Sequence, residues 1–287
     1  MELLSSILDH LARDQGSSRA AARLLEAWIP VRSIQLLADI AYGPHPRQRL
    51  DLYRPHQVQE CRLVVFLYGG CWTTGARRSY RFLAHALGSR GFAVAIPDYR
   101  LFPDAKFPDF LVDTASAIGW LHRNAGAHGI CGDRMALLGH SAGAYNAAIM
   151  ALDRTYLERA AVVPEVLAGI IGLAGPYAFN PLDFRETRDI FAPARHDPRR
   201  VQLLRLVRPR APPMLLAHGG ADRRVLPINS VRFASALLAA ENIVDLRLYR
   251  RHGHVGLLLD LANPLPRRGC ILEDTVAFLD QILGPRR

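Results

Sequence analysis

MALLGHSAGAYNAAIMAL, residues 135–152, decides the fold. Met135 to Leu138 is a short, continuously apolar run of the kind a strand buried on both faces needs. Ala144 to Leu152 is a helix-forming run. Between them, Gly139-His140-Ser141-Ala142-Gly143 reads G-x-S-x-G, a pattern that carries meaning when a strand precedes it and a helix follows. The predicted turn is so tight that side chains at the two glycine positions would collide with the neighbouring strand and helix. The serine is expected in a strained conformation with its hydroxyl presented.

Outward from this turn the same alternation repeats. Upstream, strand-like Leu63 to Leu67 and Phe92 to Ile96 alternate with helical Phe82 to Leu87 and Phe110 to Leu121. Downstream come strands at Leu167 to Leu173, Met214 to Ala217 and Val244 to Tyr249, and helices at Ile228 to Ala240 and Leu272 to Leu283. Apolar runs separated by helices predict a doubly wound α/β architecture, a mostly parallel sheet with helices on both faces. Short β-like runs at Ile40 to Tyr42 and Leu50 to Tyr53, joined by Gly43-Pro44-His45-Pro46, predict an antiparallel hairpin ahead of it. Residues 1–36 show helical spacing and are read as an N-terminal helical segment forming part of a cap. Residues 37–287 form the main domain, with a Pro- and Arg-rich cap insertion at about 176–211.

Composition removes several classes of function. The 287 residues are 50% hydrophobic and 22% charged, enough apolar material for a large core. The longest apolar runs fall far short of a membrane span. Net charge is +10, and Lys106 is the only lysine, so the basic charge is arginine. Those arginines are scattered and no nucleic-acid-binding motif accompanies them, so a solvated basic surface is expected and no nucleic-acid partner. Cys61, Cys71, Cys131 and Cys270 contain no C-x-x-C pair, which argues against a zinc site or a dense disulfide framework. Met1 to Leu11 lacks the basic and continuously apolar regions of a secretory signal, and a cytoplasmic location is expected. Oligomeric state is open, a homodimer being one option.

A serine hydroxyl attacks poorly at neutral pH, so Ser141 needs a base in hydrogen-bond reach and an acid to orient that base. In a strand-turn-helix setting both follow the serine, acid first. Met214 to Ala217 leads into His218-Gly219-Gly220-Ala221-Asp222, which makes Asp222 the expected acid; a simple turn or N-cap aspartate is the other reading. Val244 to Tyr249 leads into Arg250-Arg251-His252-Gly253-His254, and His254 is the expected base, with His252 as the alternative. The remaining need is a set of backbone N–H groups for the developing oxyanion. Tyr68-Gly69-Gly70-Cys71-Trp72 follows Leu63 to Leu67, so the expected donors are the amides of Gly70, Cys71 and Ala142. Trp72, Tyr177 and Phe179 are candidate walls of a substrate pocket, and core packing is an equal reading of Trp72.

Together these segments resemble the α/β-hydrolase fold, in particular esterases related to hormone-sensitive lipase and kynurenine-formamidase-like carboxylesterases. The resemblance spans roughly residues 38–283 and includes Gln48-Arg49-Leu50-Asp51-Leu52-Tyr53, the glycine loop, Asp98-Tyr99-Arg100-Leu101 with Pro103, the nucleophile turn and the two downstream loops. Gly-His-Ser-Ala-Gly looks more like the formamidase-like and feruloyl-esterase-like branch. The chain departs from the family in having Tyr68 where a histidine usually opens the glycine loop, and Cys71 where a glycine or aromatic is usual. The resemblance implies hydrolysis of short- to medium-chain carboxylic esters through an acyl-enzyme, with no cofactor or metal. An arylformamidase using the same residues, or a non-catalytic ligand-binding protein on the same fold, are the alternatives.

Overall fold

The computed structural model describes residues 34–56, 60–261 and 270–284. The helical segment expected over residues 1–36 therefore lies outside the described residues up to 33. Residues 34–36 differ from that expectation, because they begin the first strand, β1 (Ile34–Ala41). β1 pairs antiparallel with β2 (Arg49–Pro55), which is the expected hairpin with a longer first arm. The strand is half-exposed at the edge of the sheet, so its apolar residues carry no clean period-2 pattern.

The remaining strands are β3 (Cys61–Leu67), β4 (Phe92–Pro97), β5 (Ile130–His140), β6 (Leu167–Leu173), β7 (Met214–Gly219) and β8 (Val244–Tyr249). They complete one eight-stranded sheet of order β1-β2-β4-β3-β5-β6-β7-β8, parallel from β4 to β8. β3 and β4 are buried along their whole length, which is why the sequence shows them as unbroken apolar runs. The principal helices are α1 (Arg81–Gly88), α2 (Asp109–Asn124), α3 (Ala142–Leu152), α6 (Ile228–Ala239) and α8 (Ile271–Leu283). Short helices α4 (Thr155–Arg159), α5 (Leu203–Leu206) and α7 (Gly256–Leu261) intervene. No helix among the described residues is long and apolar enough to cross a membrane.

Two features fix the loops above the sheet. Arg77 is buried and pairs with Asp51 at 2.8 Å, Asp98 at 2.5 Å and Asp39, tying β1, β2 and the end of β4 to the start of α1. The stretch between β6 and β7 docks by its few apolar residues: Phe191 is buried against Trp72 (ring centroids 4.9 Å), Phe107 (5.7 Å) and Tyr145 (5.8 Å). The Tyr145 hydroxyl donates to the Val201 carbonyl at 2.8 Å, joining α3 to the same stretch.

Candidate active site

In a parallel sheet, the crevice at the carboxyl ends of the strands is where loops can converge on a ligand. Here β3, β5, β7 and β8 deliver the glycine loop, Ser141, Asp222 and His254 to that edge. Ser141 has φ 53° and ψ −119°, a left-handed conformation rare for a residue with a side chain. Its N–H donates to the Leu173 carbonyl on β6 at 2.9 Å, which anchors the strained turn to the sheet. Gly143 is obligatory here: a Cβ would land on the Leu67 carbonyl at the end of β3.

The expected acid, base and serine meet in one hydrogen-bonded line. His254 Nδ1 lies 2.7 Å from Asp222 Oδ2, and His254 Nε2 lies 2.9 Å from Ser141 Oγ. Since a carboxylate only accepts, Nδ1–H is the donor, which leaves Nε2 free to accept the serine proton. His252 is turned away, 3.6 Å from Asp260 and edge-on to Tyr249. Asp222 makes the contacts that each reading requires. Oδ1 accepts the backbone N–H groups of Arg224 (2.9 Å) and Val225 (3.0 Å) as a turn aspartate does, while Oδ2 faces the histidine. Burial alone would raise the Asp222 pKa, but hydrogen bonds from His218, His254 and the Val225 amide outweigh it and hold the carboxyl well below its usual range.

Two histidines that sequence reasoning passed over brace this line. His218 is wholly buried at the end of β7, its Nε2 2.8 Å from the Val225 carbonyl and 3.3 Å from Asp222 Oδ2, its Nδ1 2.6 Å from the Ser230 hydroxyl on α6. The carbonyl can only accept, so Nε2 carries the proton and faces the acid from behind. His140, between Gly139 and Ser141, donates Nε2–H to the His254 carbonyl at 2.9 Å and packs on its ring at 4.9 Å. Burial first, then the neighbouring His254, push the His140 imidazole down to about 3. The unfolded histidine takes up a proton below about pH 6.5 and the folded one does not until about 3, so stability falls as pH drops through that window. At pH 5 the loss is on the order of 2 kcal/mol. His140→Gln is expected to flatten the dependence between pH 7.5 and 5, measured by urea unfolding at each pH.

The glycine loop lies against the serine: a Cβ on Gly69 would sit 2.9 Å from Ser141 Cβ. Gly70, Cys71 and Trp72 follow with φ of 123°, 50° and 56°, a run that turns the backbone sharply. The amides of Gly70, Cys71 and Ala142 donate to no other group among the described residues. Tyr68, in the place of the usual histidine, is a buried support. Its hydroxyl donates to Asp98 at 2.7 Å and accepts from Arg47 at 2.9 Å, its ring stacks on Tyr99 and Tyr80, and Tyr99 donates to its carbonyl at 2.8 Å.

The three candidate pocket aromatics separate. Trp72 is 2% exposed, its indole N–H donating to Asn146 Oδ1 at 2.9 Å, and Tyr177 is 1% exposed and stacked on Phe233 at 4.7 Å. Both rings are buried in the core, which for Trp72 is the packing alternative and for Tyr177 departs from the expected pocket wall, since a ring enclosed by protein presents no face to a ligand. Phe179 alone is partly open, edge-on to Tyr145.

Comparison with known proteins agrees with this architecture. Esterase B from Lactobacillus Rhamnosis superposes with a TM-score of 0.80 over 99% of this chain and 97% of that one, at 19% identity, a likeness of fold. A probable isoprenylcysteine alpha-carbonyl methylesterase of Arabidopsis thaliana is 31% identical over 254 residues, 81% of this chain and 60% of the relative. Esterase LipC of Mycobacterium tuberculosis is 28% identical over 267 residues, 85% of this chain and 64% of the relative. The chain thus spans about 60% of the length of the first of these relatives. The family model BD-FAE matches residues 50–237, from β2 through the serine turn and Asp222 into α6. With the α/β-hydrolase sheet order and more than half the chain inside that match, this protein belongs to the BD-FAE family.

Proposed function

We propose that the chain is a serine carboxylesterase that hydrolyses short- to medium-chain carboxylic esters through an acyl-enzyme on Ser141. The observation that carries this reading is the unbroken line from Ser141 Oγ through His254 to Asp222 beside a loop of unpaired amides. Ser141 Oγ attacks the ester carbonyl carbon while His254 Nε2 takes its proton. The tetrahedral oxyanion is held by the N–H groups of Gly70, Cys71 and Ala142. His254 returns the proton to the departing alcohol, and water repeats the sequence to release the acid. Asp222 keeps the imidazole in the tautomer that makes this possible, and Phe179 borders the acyl or alcohol site. The esterase names of the relatives support an ester as the bond cleaved.

Hydrolysis of p-nitrophenyl esters from acetate to decanoate tests the proposal, with the chain-length optimum giving the size of the acyl site. No turnover of any ester would sink it, and turnover of an N-formyl aromatic amine alone would move the reading to the formamidase alternative.

The buried brace behind the acid makes a further expectation. His218→Ala removes the donor behind Asp222 Oδ2 and exposes the Val225 carbonyl to an empty space. A fall in kcat of roughly 10–100-fold is expected, the equivalent of about 1–3 kcal/mol of lost hydrogen bonding. Ser230→Ala should produce a smaller fall in the same direction. Steady-state kinetics on folded protein, checked by circular dichroism, reads both.

A further inference from the structure

Arg224 bridges the two halves of the site. Its backbone N–H donates to Asp222 Oδ1 at 2.9 Å, and its side chain crosses to the glycine loop, where Nη2 meets the Cys71 thiol at 3.4 Å. A thiol is a weak acceptor and does not neutralise a guanidinium. Several arginines beside the sheet are matched by acids, Arg77 with Asp51 and Asp98, Arg100 with Asp113 and Arg247 with Asp245 and Asp274, whereas the Arg224 guanidinium has only the thiol. Among the described residues no carboxylate oxygen lies within 4.0 Å of the Arg224 guanidinium, and the residue is exposed. Its charge reaches inward too. After burial and His254, Arg224 is among the groups that disfavour a proton on His140, directly behind the base.

An arginine fork with most of its donors uncommitted, fastened at one end to the acid loop and resting on the oxyanion loop, is built to take a carboxylate in bidentate fashion. Its distance from the chemistry sets the size of the ligand. The Cys71 amide and its own sulfur are separated by three bonds, about 3–4 Å, so the guanidinium stands about 7 Å or less from an amide that would hold the oxyanion. Three bonds of extended chain advance about 3.5 Å, so a carboxylate three or four carbons from the scissile carbonyl reaches it.

We propose that Arg224 is a specificity residue for anionic esters, the monoesters of short dicarboxylic acids, whose free carboxylate it binds while the ester carbonyl enters the oxyanion loop. The proposal rests on the esterase reading above and names a substrate class within it. Cys71 then has a role as the rest on which the guanidinium is held, which fits its place where the family usually carries glycine or an aromatic.

The test compares monomethyl glutarate with dimethyl glutarate, the same ester with and without the charge, by pH-stat titration at pH 7.5. For the wild type, kcat/KM should favour the monoester, and the preference should shrink as salt is raised from low ionic strength to about 0.5 M. Arg224→Gln should lower the ratio of monoester to diester kcat/KM by about tenfold or more, with Arg224→Lys intermediate because it keeps the charge and loses the fork. An unchanged ratio in Arg224→Gln overturns the proposal. So does a wild type that hydrolyses p-nitrophenyl acetate and dimethyl glutarate but not the monoester, which leaves the esterase reading standing. A wild type that hydrolyses no ester at all removes both.

Discussion

Ser141→Ala is expected to lower kcat on p-nitrophenyl esters by roughly 10⁴-fold or more, measured against wild type by stopped or continuous release of nitrophenolate. The size follows from what remains. In the proposed mechanism, loss of Oγ leaves His254 nothing to deprotonate at the correct place, and the candidate oxyanion amides can act only on attack by water, which no group positions. The fold should be untouched, because Ser141 is held by its backbone bond to Leu173 and not by its hydroxyl. Ser141→Gly should abolish activity equally and raise the melting temperature, because φ 53° and ψ −119° costs a residue with a Cβ on the order of 1–3 kcal/mol that glycine does not incur. A Ser141→Ala enzyme retaining more than a few per cent of wild-type turnover would show that the hydrolysis does not pass through this serine.

The second large effect falls on stability. Gly143→Ala puts a methyl group on the Leu67 carbonyl, within reach of the Tyr68 carbonyl as well, at the junction of β3 and the glycine loop. The obstacle is backbone in a fully buried strand, so no side chain can swing aside, and either α3 or the end of β3 must move. A loss of about 3 kcal/mol or more is expected, at the upper end of overpacking costs. Because the displaced carbonyls open the loop that carries the candidate oxyanion amides, activity should fall together with stability. Urea unfolding and ester hydrolysis on the same preparation check both; wild-type stability in the variant would mean the turn has slack that its geometry denies.

Much of this arrangement was legible in the amino-acid sequence, for reasons that differ from element to element. The central strands announce themselves because a parallel strand covered on both faces has no polar positions, so Leu63–Leu67 and Phe92–Ile96 could hardly be anything else. The order serine, acid, histidine follows which strand ends face the same edge, and that singles out Asp222 and His254, 81 and 113 residues from the serine, as the candidates that meet it in space. What sequence does not display is the direction in which a side chain points. From their place in the chain Trp72 reads equally as pocket wall or core and Tyr177 as pocket wall, yet one is bonded to Asn146 and the other stacked on Phe233. The same blindness hid His218 and His140, since their partners Ser230 and His254 sit on other elements. The signal was present in both cases as a histidine immediately beside a glycine turn, at a strand end where solvent exposure could not be assumed. β1 was misjudged for another reason: an edge strand with mixed burial carries too little periodicity to separate it from the helical spacing before it.

The placement of β8 has its own consequence. Ser141 rides at the end of β5, flanked on both sides by other strands and buried from Met135 to His140, whereas His254 follows the outermost strand of the sheet, mostly half-exposed and paired on one side only. Edge strands open by local fluctuations that leave the centre intact. Ser141 and His254 therefore belong to regions of unequal endurance, and the His140 bond to the His254 carbonyl is the mooring line between them. The lifetime of the assembled site is set by that periphery and its mooring, well before the core of the sheet is at risk.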